Sequence, residues 1–217
     1  MKTRIKQIIQ ESIDSVVGID AEYMDAVNRG DMETASRLVR EKAKQYMPNT
    51  VIKGSDGYPL VCTHGTNENF TKFEALGYGQ YGQGAYFCYG EGGRNFGDVV
   101  IHAYVDLRKL GNYQDLEKVV GPADQRSDEE VSESGIDRDS VYGTEYDMHD
   151  FDWHPEIQTM LMNAGYDGFV DDGNYGFVLY ELNDARIKSA DPVTYDNDGN
   201  VITLSRRFDR STNDIRF

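Results

Sequence analysis

The sequence predicts an α+β fold in which a small helical unit precedes a mostly antiparallel β domain. Three observations predict it. Apolar residues recur at helical spacing up to about residue 47. From Thr50 onward, short apolar runs are broken by Gly, Asn and Asp. Little helical pattern lies between those runs, which favours antiparallel neighbours joined by short connections. The 217 residues are enough to bury a core, and an apolar content of 39% with 12% aromatic residues fits a folded protein. The boundary falls at Pro48, with residues 1–48 as the helical unit and 49–217 as the β-rich domain.

In the first unit, Ile5, Ile8, Ile9, Ile13 and Val16 share a face and predict a helix that stops near Gly18. Tyr23, Met24 and Val27 predict a second helix ended by Asn28-Arg29-Gly30. Asp31 is placed to N-cap a third, whose Ala35, Leu38, Val39 and Ala43 share a face and which ends before Pro48.

In the second unit, Ser55-Asp56-Gly57 reads as a turn. Pro59–His64, Ala85–Tyr89 and Val99–Val105 read as strands. Phe70–Leu76 is short and charged, closer to a helical turn than to a strand. The acidic stretch from Gly121 to Phe151, with Asp128-Glu129-Glu130 and Glu133, reads as a long surface loop. Ile157, Met160 and Leu161 predict a helix over Pro155–Ala164. Gly168–Val170 and Phe177–Tyr180 are expected to pair around Asp172-Gly173-Asn174. Val193–Tyr195 and Val201–Leu204, flanking Asp196–Asn200, carry a hairpin signal.

Lys and Arg number 22 against 38 Asp and Glu, a net charge of −16. Such a surface repels nucleic acid and anionic membranes in bulk, while leaving room for a locally neutral groove. Cys62 and Cys88 lie in apolar stretches without metal-ligand spacing and read as buried free thiols in a reducing compartment. Residues Met1–Lys6 lack the apolar core of a signal peptide, and no apolar run approaches the roughly 20 residues that span a bilayer. A soluble, cytoplasmic protein with no membrane partner is expected.

Gly77-Tyr78-Gly79-Gln80-Tyr81-Gly82 spells G-x-G-x-x-G, but neither a buried strand leads into it nor a helix out of it, so the phosphate-cradling reading is rejected. In the tail loop, the places of two calcium ligands hold Thr194 and Ser205, which leaves a plain turn. Met148–Glu156 gathers two His and three carboxylates without a metal-binding register and reads as solvated loop; no metal is expected. No G-x-S-x-G elbow occurs.

The strongest constellation is Leu60–Thr66, followed by Gly82–Phe87 and then Arg94-Asn95-Phe96. A His at a strand end followed by Gly exposes an imidazole beside two bare backbone groups. In order and spacing, His64-Gly65-Thr66, Gly82-Gln83-Gly84-Ala85-Tyr86-Phe87 and Asn95-Phe96 resemble the ADP-ribosyltransferase family, in the branch of the poly-ADP-ribose polymerases and diphtheria toxin. The likeness extends to Gly165–Phe169, Phe177–Tyr180 and Arg186–Ala190. The tail, with Asp20–Tyr23 and Gly30–Ala35, is similar to domains of large phage and mobile-element proteins.

The resemblance implies split antiparallel β-sheets and NAD as substrate, without a metal. By it, the Gly65 backbone holds the nicotinamide carboxamide, Tyr86 and Phe96 sandwich the ring, and His64 and the Thr66 hydroxyl bind ribose hydroxyls; Gly84 and Phe87 complete the cofactor-binding set. The activity implied is transfer of one ADP-ribose unit to a macromolecular acceptor, protein or nucleic acid, with release of nicotinamide, in a phage or toxin-system setting. One departure stands out. The acid that relatives carry before the final strand falls on Gly176, so Glu181 is taken with His64 and Tyr86 as the catalytic set, and Asp171 and Asp172 as alternatives in another register. The competing readings are a catalytically silent NAD-binding or protein-docking module and a phage-associated structural domain.

Overall fold

The computed structural model describes residues 2–75, 78–120, 155–170 and 176–217. The Gly121–Phe151 stretch, the Met148–His154 cluster, Asp171, Asp172 and Gly77 lie outside the described residues. The fold is mixed α+β, as the spacing of apolar residues predicts.

Two helices open the chain: α1, Lys2–Asn28, and α2, Met32–Tyr46. The break expected near Gly18 is absent, because nothing forces one. Gly18 faces open space and is not in a left-handed conformation, and the apolar spacing runs on from Val16 through Ile19 to Tyr23; an exposed mid-helix Gly costs only about 1 kcal/mol. Asp31 does cap α2, its carboxylate accepting from the Thr34 N–H at 3.1 Å. That bond holds the Asp31 carboxyl below its ordinary value. Tyr23, Ala26, Leu38 and Val39 bury together with Tyr104, Leu204 and Phe208, so the helical unit shares a core with the β domain and the tail.

The main sheet has seven strands in the order β6-β7-β8-β4-β1-β5-β9. They are β1, Cys62–Thr66; β4, Ala85–Tyr89; β5, Val99–Val105; β6, Leu110–Gly111; β7, Gly168–Val170; β8, Gly176–Leu179; and β9, Ile187–Ser189. The hairpin β2, Tyr78–Gly79, with β3, Gly82–Gln83, stands apart. All pairings in the main sheet are antiparallel except that of β6 with β7. Two further helices, α3, Tyr113–Val120, and α4, Pro155–Asn163, pack on each other.

β4 and β5 carry the expected bounds, and β7 pairs with β8 as expected. Three expectations differ. β1 starts at Cys62 and runs through Thr66, since Pro59 has no N–H for a ladder and instead bridges to Lys53. Phe70–Ala75 contains no helical turn; Phe73 is drawn into the core beside Phe87. The tail signal between Tyr195 and Val201 yields a single bridge around a turn, with the Asp196 carboxylate accepting from the N–H groups of Asp198 and Asn200. The tail is also tied to β9 from within. Buried Lys188 donates to the carbonyls of Asp209, Thr212 and Asp214, and buried Arg207 to those of Ser189 and Asp191. Among the described residues, no helix is long and apolar enough to cross a membrane.

Candidate active site

The seven strands form one sheet rather than the split pair the resemblance implies. β4 and β1 share only two residue pairs, Cys62 with Tyr89 and Thr63 with Cys88, whereas β1 pairs with β5 along its whole length. Past Thr63 the two strands diverge. The direction of the backbone groups there follows from neighbouring bonds. The His102 carbonyl accepts from Ala190 N–H, so His102 turns both its backbone groups toward β9. Thr63, its partner on β1, must then face β4. Alternation carries the same direction to Gly65, whose N–H and C=O point into the gap.

His64 bridges that gap. Its Nδ1 lies 2.7 Å from the Tyr86 carbonyl oxygen. A carbonyl only accepts, so Nδ1 carries the hydrogen and the neutral ring presents Nε2 as an acceptor. Burial pulls the His64 pKa below its ordinary value, and the bond to Tyr86 offsets only part of this. The ring is wedged edge-on against Phe73, at 5.0 Å between centroids, and Phe70, at 5.9 Å, with Phe87 at 5.8 Å. Its orientation is therefore set by packing as well as by the hydrogen bond.

Each wall of the gap is built on close glycine contacts. On one side a 3-10 turn, Gly92–Asn95, lies on β1. A Cβ at Gly65 would overlap the Gly93 carbonyl, and one at Gly93 would stand 2.8 Å from the Thr63 side chain. The Thr63 hydroxyl fastens this turn, donating to Gly90 O at 2.6 Å and accepting from Gly93 N–H at 2.9 Å. Phe96 follows, 68% exposed at the mouth. On the other side stands the β2–β3 hairpin. The Tyr86 ring packs where a Gly79 side chain would be, and its hydroxyl donates to Gly82 O at 2.7 Å while accepting from Tyr81 N–H at 2.9 Å. Burial pushes the Tyr86 phenol up to about 12. Two glycines of the G-x-G-x-x-G run, Gly79 and Gly82, thus serve a hairpin folded over an aromatic ring.

The cavity so enclosed has a volume of about 420 Å³. Of the predicted residues, His64, Gly65, Tyr86, Phe87 and Phe96 line it together, with Gly176 on its floor. Three fall elsewhere. Gly84 sits against the Leu179 carbonyl in the bend between β3 and β4, Thr66 accepts from Glu68 N–H at the end of β1, and Glu181 lines a separate cleft beside Lys72, Glu74 and Asn183. There Glu181 stands 4.0 Å from Arg186, which also pairs with Asp167 at 3.3 Å. A side chain at 176 would overlap the Phe87 carbonyl, so the close approach of β8 to β4 requires glycine. No Asp or Glu lines the cavity among the described residues.

Thr63, Gln80, Tyr81, Cys88 and Phe177 also line the cavity, and none of them is a site residue by the sequence reading. The glycine run signalled that Gln80 and Tyr81 lie in a turn, but nothing local tells which turn faces β1. The Cys88 thiol is raised by burial, consistent with an uncharged group on an apolar wall.

No family model matches the chain, and no curated protein matches it. Among solved structures, the crystal structure of an anti-CRISPR protein is similar at a TM-score of 0.36 and 14% identity, covering 56% of this chain and 89% of that one.

Proposed function

We propose that the chain is a NAD-dependent mono-ADP-ribosyltransferase and that the β1–β4 gap receives the nicotinamide end of NAD. The observation that carries this reading is the pair of Gly65 backbone groups turned into a gap flanked by Tyr86 and Phe96. A primary carboxamide matches that pair: its oxygen accepts from the Gly65 N–H and its amino group donates to the Gly65 C=O. The aromatic rings offer face contacts to the nicotinamide, each contributing about 0.5–1.5 kcal/mol beyond area burial. The His64 Nε2 is a fixed acceptor for a ribose hydroxyl.

In the reaction, the bond between nicotinamide nitrogen and ribose C1′ breaks and its electron pair leaves with neutral nicotinamide. The ribose passes through an oxocarbenium-like state, and an acceptor nucleophile on a macromolecule bonds to C1′ and loses its proton to solvent or a base. The chain's part is to hold the leaving group in a dry slot and fix the dinucleotide's bend. The acceptor is a protein or a nucleic acid segment that reaches the mouth at Phe96; a phage or toxin-system setting follows from the sequence resemblance.

A second reading is favoured by a specific observation. With Gly176 at the acid's place and no carboxylate among the described lining residues, a catalytically silent NAD-binding module is the competitor. Nicotinamide release from NAD by the purified protein, run beside His64→Ala, separates them. Release that falls by about 100-fold in the variant supports transfer. NAD binding without release favours the silent module, and release that ignores His64 refutes the site.

A further inference from the structure

The hairpin that walls the cavity has two residues in each strand, too little to hold a shape in water by itself. Buried Tyr81 packs on Phe169 at its turn, and β3 is held by Gln158 on α4, 75 residues away in the chain. Gln158 Oε1 accepts from the Gln83 N–H at 2.8 Å and its Nε2 donates to the Gln83 carbonyl at 2.7 Å. The carboxamide thus pairs with the N–H and C=O of one β3 residue as a neighbouring strand would. Gln158 Nε2 also lies 4.0 Å from the Met162 sulfur one turn along the helix, and Gln83 Nε2 donates to the Ala75 carbonyl at 2.8 Å. With the Tyr86 hydroxyl on Gly82 and Tyr81, these bonds tie the hairpin to α4, to β4 and to the segment at Ala75.

We propose that Gln158 is a positioning residue for the cavity. It latches the hairpin from behind so that Gln80 and Tyr81 face the β1–β4 gap, and it acts without touching the bound molecule. The role asks for a primary amide. Gln83 presents one donor and one acceptor side by side, and of the side chains of that length only Gln answers both at neutral pH. A Glu carboxylate would accept from the N–H but repel the carbonyl, whereas a protonated Glu would again offer one donor and one acceptor. The effect on catalysis rests on the cavity being the NAD site; the latch itself does not.

The test uses the full chain with Gln158→Ala and Gln158→Glu. Hydrogen-exchange protection of the Gln83 amide is measured without NAD, and KM and kcat for nicotinamide release are measured with it. For Gln158→Ala, the loss of two hydrogen bonds is expected to lower protection and raise KM by about tenfold each, with kcat within about twofold. Gln158→Glu, ionised at neutral pH, keeps the acceptor for the Gln83 N–H and loses the donor to its carbonyl, so at pH 7 it is expected to retain Gln83 protection while raising KM by about tenfold.

Among the described residues, the titratable groups around it do not confuse that comparison. The phenols of Tyr86 and Tyr180 are raised by burial, and the hydrogen-bonded pair of Asp115 and Lys118 on α3 holds the acid below and the amine above their ordinary values. His64 titrates in native and variant alike, so the ratio of the two cancels it. Unchanged Gln83 protection in Gln158→Ala, or a Gln158→Glu protein with the native KM, would overturn the latch. If the native protein neither binds nor cleaves NAD, the functional reading falls, and the exchange data still decide the latch.

Discussion

The two halves of β1 differ in one respect. Cys62 and Thr63 have strand partners on both sides, while His64, Gly65 and Thr66 have one only on β5. In the closed half, side chains serve the fold: Cys62 is buried in the core, and Thr63 fastens the 3-10 turn through two hydrogen bonds. In the open half, an imidazole and a bare peptide face a cavity. The cavity arises here by ending a ladder three residues early, which frees main-chain groups at no cost in side chains.

Gly65→Ala should give the largest effect, because its Cβ would overlap the Gly93 carbonyl and stand 2.9 Å from the Phe96 Cβ. Forcing the 3-10 turn off β1 is expected to cost about 1–3 kcal/mol and to abolish NAD binding, as thermal unfolding and calorimetry would record. His64→Ala removes the bridge across the gap. NAD affinity is expected to fall by about 100-fold with the fold intact; a variant that instead unfolds would place His64 on the closed side of the comparison.

Thr63→Val is the converse case. Losing the bonds to Gly90 and Gly93 should cost about 1–3 kcal/mol of stability, with NAD affinity changed only a few-fold. Equal damage to binding would mean that the two halves are not separable. Glu181→Ala should matter least: Glu181 is exposed and 4.0 Å from Arg186, so a stability change within about 0.5 kcal/mol is expected. Nicotinamide release should also be unaffected. Loss of release in this variant would bring Glu181 back into the catalytic set.

The lowered His64 pKa adds a dependence on pH. The folded protein binds this proton less readily than the unfolded chain, whose histidine titrates near 6.5. Stability contributed here is therefore fully present above about 6.5 and is lost as pH falls through the lower, native value. Denaturant unfolding from pH 7.5 downward should show this slope in the native protein, and a shallower one in His64→Ala.

Much of this fold was legible because it is local. β4, β5, the N-cap of α2 and the β7–β8 pair each follow from periodicity or capping within a few residues. Short β6 and β9 carry too little pattern to stand out, and α3 is only eight residues long. The site was legible in part, since His64, Gly65, Tyr86 and Phe96 announce themselves as residue types. What makes them a site is not local. The end of the β1–β4 ladder is a matter of register between strands, the 3-10 wall depends on Gly93 meeting Thr63 across 30 positions, and Gln158 reaches Gln83 across 75. Gly176 is the clearest case. From the sequence it reads as a missing acid, whereas in the fold it is the residue that lets β8 lie against the Phe87 carbonyl, so Gly176→Glu would disturb the sheet rather than restore a carboxylate.

The central claim is that the open half of β1 receives a carboxamide, and titration of nicotinamide against the 15N-labelled protein tests it most directly. The amides of Gly65 and of its neighbours across the gap, Tyr86 and Phe87, should move saturably while that of Cys62, which does not line the cavity, stays in place. Saturable shifts confined to the cleft beside Glu181, or none in the β1–β4 gap at saturating nicotinamide, would contradict it.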